Sequence, residues 1–163
     1  MLHITLPGGD DLALKHLICA VNGTLAEDGL LLEGIAGRLS QLASTLQIHL
    51  VTADTYQTLD ELMGELRMNA IAADRPAPHA HHVSSGAQKA VYARELGASA
   101  VVAIGNGAND IALFETARLS IAVLGAEGTS ARAALAADVL CRSALDALDL
   151  LLYPQRLTAT LRS

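Results

Sequence analysis

The chain has 163 residues, 52% of them apolar and 17% charged, with a formal net charge of -6. That length fits one domain, residues 1–163, with room for a good core. The acidity argues against a broad nucleic-acid footprint, and no apolar run approaches the roughly 20 residues that span a bilayer.

Residues 2–6 and 12–15 flank Pro7-Gly8-Gly9-Asp10 and read as an N-terminal β-hairpin within residues 1–15. Asp10 and Asp11 are read as hairpin residues. Residues 16–21 form an apolar run that stops at Asn22-Gly23, the pattern of a buried strand ending in a turn. Ile35, Leu39, Leu42 and Leu46 recur at helical spacing. Residues 47–52 make a second strand, after which Asp54 and Gln57 resemble a capping box. Leu59, Leu62, Met63 and Leu66 give the next helix one apolar face. Residues 69–73 read as a weaker third strand. Residues 74–84, with Pro76, Pro78, His79, His81 and His82, read as a loop.

Ser84 or Ser85 is placed to cap a helix running through Leu96. Residues 100–104 form the clearest buried strand, ended by Gly105-Asn106-Gly107, and a helix starts near Ala108. Residues 119–123 are a strand. Residues 128–136, 138–141 and 143–152 read as helix, strand and helix, with Ser143 and Asp146 as a capping box. Residues 16–152 thus form the core, and 153–163 a C-terminal tail. Cys19 and Cys141 lie in apolar runs and read as buried free thiols, which suits a reducing cytoplasm. No signal-peptide pattern opens the chain.

Strands alternating with helices imply an α/β fold with a mostly parallel sheet covered on both faces. Ligands of such sheets bind beyond the carboxyl ends of the strands. Those ends carry Ala20-Val21-Asn22-Gly23-Thr24, then Thr52, then Gly105-Asn106-Gly107-Ala108-Asn109-Asp110, while Lys89 opens the helix before the fourth strand.

In order and spacing this set resembles the four motifs of the haloacid dehalogenase (HAD) superfamily of phosphotransferases. It is most similar to the small soluble members that resemble the phosphorylation domain of P-type ATPases. The resemblance implies a Rossmann-like three-layer sandwich with a minimal cap, and an open site for which a homo-oligomer is expected. It implies Mg²⁺ as cofactor, held by Asn106, Asp110 and the backbone carbonyl of Asn22. It also implies a small phosphorylated molecule as partner, bound by Thr52, Lys89, Asn22 and the Gly23 amide. In the family's chemistry a carboxylate attacks phosphorus, the metal offsets charge repulsion, and Thr, Lys and turn amides stabilise the transferring group.

Two positions depart from that pattern. Ala20 stands at the nucleophile position, where a methyl can neither attack nor bind metal. Asn22 stands at the acid/base position and cannot shuttle a proton. Cys19 is no substitute, because neighbouring side chains on a strand point to opposite faces. Three functions stay open: a HAD-type phosphohydrolase lacking its nucleophile, by natural degeneration or deliberate substitution; a non-catalytic binder of Mg²⁺ and phosphate; and a structural or oligomeric subunit. Plainer readings stand beside each motif: a strand-to-helix turn at 105–110, a turn at Asn22-Gly23, a solvated Lys89 and an ordinary strand residue at Thr52. The His79, His81, His82 cluster admits a metal site or a polar loop.

Overall fold

The computed structural model describes residues 1–83 and 85–162, so Ser84, one of the two expected caps, lies outside the described residues. The chain opens on an antiparallel hairpin, Leu2–Ile4 (β1) and Leu12–Leu14 (β2). Asp11 ties its turn, accepting the Leu6 amide at 3.0 Å. His16–Ala20 (β3) enters the core. A short antiparallel ribbon follows, Ala26–Glu27 (β4) and Leu30–Leu31 (β5). Next come Ile35–Leu42 (α1), Gln47–Thr52 (β6), Leu59–Ala72 (α2) and His79–His82 (β7). Gly86–Leu96 (α3), Val101–Gly105 (β8), Ile111–Phe114 (α4) and Leu119–Val123 (β9) follow. Ala131–Ala136 (α5), Val139–Cys141 (β10), Ala144–Leu152 (α6) and Gln155–Leu161 (α7) complete the described chain.

The central sheet has six strands in the order β10-β9-β8-β3-β6-β7, every pair parallel. Its inner strands are buried on both sides, which is why they read as unbroken apolar runs. Leu17, Cys19, Ile48, Leu50, Val102 and Ile104 pack one face against α1, α2 and α6. Ile18, Val51, Val101, Ala103 and Ala122 pack the other against α3, α4 and α5. The result is the expected α/β three-layer sandwich, and the short β4–β5 ribbon follows the end of β3, joined to the turn there by a bridge between Asn22 and Ala26. Both cysteines are buried and free; burial raises both thiols, Cys141 up to about 11. No helix of the described residues is long and apolar enough to cross a membrane.

Several sequence expectations are corrected. Residues 69–73 are not a strand: α2 runs through Ala72, and Ala70 extends the buried stripe of Leu62, Met63 and Leu66 while Ile71 points outward, 73% exposed. Within 74–84, residues 79–82 are not loop but the edge strand β7, paired with β6 from His49↔His79 to Thr52↔His82. An edge strand tolerates polar side chains and nearby prolines, so it carries no apolar signature.

Asp54 and Gln57 form no capping box. Asp54 adopts a left-handed φ of 51°, and its Oδ1 accepts the Thr58 and Leu59 amides at 3.1 Å each, capping α2 from a distance. The 153–163 tail is mostly helix α7, with Leu157 fully buried. Ser85 caps α3 and Ser143 caps α6 through their hydroxyls.

Candidate functional site

β3 stops at Ala20 because the next residues coil back on it. The Val21 carbonyl accepts amides from Thr24, Leu25 and Ala26 at 3.2, 2.9 and 3.0 Å. Gly23 takes φ +73°, and a Cβ there would strike the Asn106 side-chain amide, so only glycine fits. Thr24 donates its hydroxyl to Asn106 Oδ1 at 3.0 Å, and Asn106 Nδ2 donates to the Gly128 carbonyl at 2.9 Å. The Asn22-Gly23-Thr24 turn and the 105–110 loop are therefore bolted side to side.

At the end of β8 the chain folds around one carboxylate. Asp110 Oδ2 accepts the Asn106 and Gly107 amides at 3.0 and 2.9 Å. A Cβ on Gly105 would lie 2.5 Å from that oxygen, so the glycine is the space the carboxylate needs. Asp110 Oδ1 takes Lys89 Nζ at 2.6 Å, and the two side chains are 1% and 3% exposed. Two charges this deep persist only because they pair and are hydrogen-bonded. At the end of β6, Thr52 Oγ1 accepts the Asp54 amide at 2.8 Å, which leaves its proton to donate.

These strand ends enclose a cavity of about 80 Å³ lined by Ala20, Asn22, Thr52, Thr55, Lys89, Asn109, Asp110 and the apolar Val21, Val51 and Ala53. It holds only a few waters' worth of space, the scale of a phosphoryl group. Five of the seven expected positions meet there: Ala20, Asn22, Thr52, Lys89 and Asp110. Gly23 and Asn106 do not line it. Gly23 borders a larger, mostly apolar cavity of about 380 Å³, shared with Thr24, Leu32, Leu124 and Leu145, and Asn106 is turned toward Thr24. Sequence reasoning missed Thr55 and Asn109. Asn109 sits inside the Gly-Asn-Gly-Ala-Asn-Asp stretch and could have been drawn from it; Thr55 had no signal beyond nearness to a strand end.

The donor set tests Mg²⁺ directly. A hard cation asks for several oxygen ligands, with carboxylates prominent. Here Ala20 supplies none, Asn106 Oδ1 is engaged by Thr24, and both Asp110 oxygens are taken by Lys89 and two amides. Among the described residues no group of three His, Cys, Asp or Glu side chains is arranged to hold a metal. As the residues stand, the cavity offers a Mg²⁺ ion no unpaired carboxylate, and Asp110 would join one only in competition with Lys89.

A six-stranded parallel sheet with a phosphate-sized cavity at its strand ends, walled by Thr, Lys and an Asp-bearing glycine loop, is the architecture of a HAD-type hydrolase. The chain belongs to the haloacid dehalogenase-like hydrolase family, whose family model matches residues 47–144. It is 47% identical over 62 residues to uncharacterized protein MJ0073 of Methanocaldococcus jannaschii, covering 38% of this chain and 67% of that protein.

Its fold is similar to that of 3-deoxy-D-manno-octulosonate 8-phosphate phosphatase from Moraxella catarrhalis, solved with magnesium, phosphate and KDO. The TM-score is 0.63 at 16% identity, over 90% of each chain. The enzyme of that name from Yersinia pestis gives a TM-score of 0.64 at 19% identity, over 90% of this chain and 84% of that one.

Proposed function

We propose that this protein binds a small phosphorylated compound at the ends of β3, β6 and β8 and lacks phosphoaspartate chemistry. The observation that carries the reading is Ala20, which lines the same small cavity as Thr52, Lys89 and Asp110. Thr52 donates its free proton to a phosphoryl oxygen. Lys89 supplies the cation, for which the ligand competes with Asp110. Asn22 replaces the acid that would protonate a leaving group, so a bound ester keeps its bond. No covalent intermediate forms, because no carboxylate stands at position 20. Phosphorylated sugars are the first compounds to test, since solved relatives of this fold carry that activity in their names.

The test has two arms. Calorimetry with inorganic phosphate should detect binding to the wild-type protein, weakened at least tenfold in Thr52→Val. Turnover of an aryl phosphate with Mg²⁺ present should be absent in wild type and measurable in Ala20→Asp. Wild-type turnover, or no phosphate binding at all, overturns the proposal.

A further inference from the structure

Helix α3 carries Lys89 and is seated mainly by small apolar groups, Ala90 and Ala93, with Tyr92 and Leu96 partly buried beside them. Its buried residues are Lys89, Ala90 and Ala93, while Val91 is 48% exposed. Besides the Lys89–Asp110 pair and a long Arg94–Thr116 bond of 3.4 Å, the helix is anchored through Tyr92, three residues on from Lys89 and so on the same helix face. The Tyr92 hydroxyl lies 2.8 Å from His49 Nδ1 and 2.6 Å from His81 Nε2. His49 Nε2 lies 3.1 Å from His16 Nδ1. His49 is 5% exposed. One chain of hydrogen bonds therefore ties α3 to β6, to the edge strand β7 and to β3, on the sheet face opposite α1 and α2.

Proton counting constrains this chain. In one register His16 Nδ1–H donates to His49, His49 Nδ1–H donates to Tyr92, and Tyr92 donates to His81. In the other, every donor and acceptor is reversed. Both registers satisfy all three bonds with neutral rings. One added proton can be absorbed with the bonds intact. A second cannot: it sets two N–H groups head-on, or leaves the Tyr92 proton without its acceptor.

The groups facing His49 all oppose charging it: His16 with Lys15 behind it from β3, and His79 and His81 from β7, whose rings lie 5.9 and 5.8 Å from that of His49. From α3 it faces only Tyr92, held protonated by burial and then by Glu95. Burial, then these neighbours, push His49 down to about 4; burial also lowers His16 and His81. Undocking α3 returns the rings to water, where they take up protons at ordinary values, so acid favours the undocked helix.

We propose that the His16–His49–Tyr92–His81 network is an acid-sensitive latch, in which Tyr92 and His49 are positioning residues that seat α3 and thereby hold Lys89 at the cavity. The seating of the helix stands on this geometry alone; its effect on ligand binding rests on the phosphate-site reading above.

The experiment is amide exchange by NMR, read as protection factors, with calorimetry using inorganic phosphate, at pH 7.5 and 5.5. Wild type should lose at least tenfold protection in α3 at pH 5.5 while β3 and β8 stay protected, and its phosphate affinity should fall with it. Tyr92→Phe keeps the ring but loses both hydroxyl bonds, so its α3 should be loosened already at pH 7.5. His49→Gln keeps an amide for Tyr92 but removes the most strongly lowered ring, so its loss of α3 protection at pH 5.5 should be clearly smaller than that of wild type. Equal α3 protection of wild type at the two pH values, or the same loss in His49→Gln, overturns the latch. Released α3 with unchanged phosphate affinity breaks the link to Lys89. No phosphate binding at either pH sinks the site reading instead, and the helix data alone then decide the latch.

Discussion

Replacing Lys89 with Met removes the cation from a pair whose partners are 3% and 1% exposed at 2.6 Å. Breaking a buried pair by deleting one partner costs about 3–5 kcal/mol, because a charge is left without compensation. Asp110 keeps two backbone amides and Met fills most of the lysine stem, so the low end applies, about 3 kcal/mol. That is a large part of a total stability of about 5–15 kcal/mol. The double variant Lys89→Met, Asp110→Asn removes both charges, while the Asn oxygen still accepts the loop amides. Its loss should fall short of the sum of the single losses by about 1 kcal/mol or more, the coupling expected of residues in contact. Urea unfolding at pH 7.5, with unchanged m-values, reads all four proteins. A loss below about 1 kcal/mol in Lys89→Met, the size of an exposed pair, or strict additivity in the cycle, would refute a buried and mutually neutralised pair.

Other expectations follow from single contacts. Thr24→Val deletes the donor to Asn106 Oδ1 and should cost about 1 kcal/mol in the same unfolding assay; no loss would show the turn and the loop are not bolted there. Leu157→Ala should cost about 2–5 kcal/mol, since its side chain is fully buried and the C-terminal helix is part of the core; a neutral result would show α7 to be dispensable. Stability should decline as pH falls, because the unfolded chain protonates His49 near 6.5 and the folded one only near 4. The stabilisation is whole above 6.5 and eroded by about 4, a difference of about 3 kcal/mol that His49→Gln should abolish. A pH-independent melting temperature over that window would contradict it.

The sequence was most legible where physics made it redundant. Residues 16–21, 47–52, 100–104 and 119–123 read as strands because both faces of an inner parallel strand are buried. Gly23 and Gly105 read as strand ends, and each has a steric reason for being glycine. Edge strand β7 was illegible, since His-Ala-His-His has no apolar run and its pairing to β6 spans some thirty residues of chain. Ala70 and Ile71 misled, because a short apolar stretch cannot tell a strand from the last turn of a helix. In the site, Thr52, Lys89 and Asp110 could be placed from their order along the chain. That Lys89 is already spent on Asp110 could not, and neither could the joining of His81 to His16 and His49 through a tyrosine on a different element.

Ala20 acquires a more specific meaning from the charges around it. Among the residues lining the small cavity, Lys89 and Asp110 are the only charged side chains, and they cancel. An aspartate at position 20 would make that cavity negative, and an incoming phosphate would meet carboxylate against phosphoryl oxygen, a repulsion that a divalent cation has to offset. With alanine there the repulsion is gone, along with one of the ligands the cation would use. On the proposed reading, the absent nucleophile and the weakened metal site are one change seen twice: alanine at position 20 removes a ligand for the metal and the repulsion the metal would offset. Phosphate affinity should then be indifferent to a chelator in the wild-type protein and dependent on Mg²⁺ in Ala20→Asp. A wild-type protein that needs Mg²⁺ to hold phosphate would refute this, because no unpaired carboxylate lines the cavity.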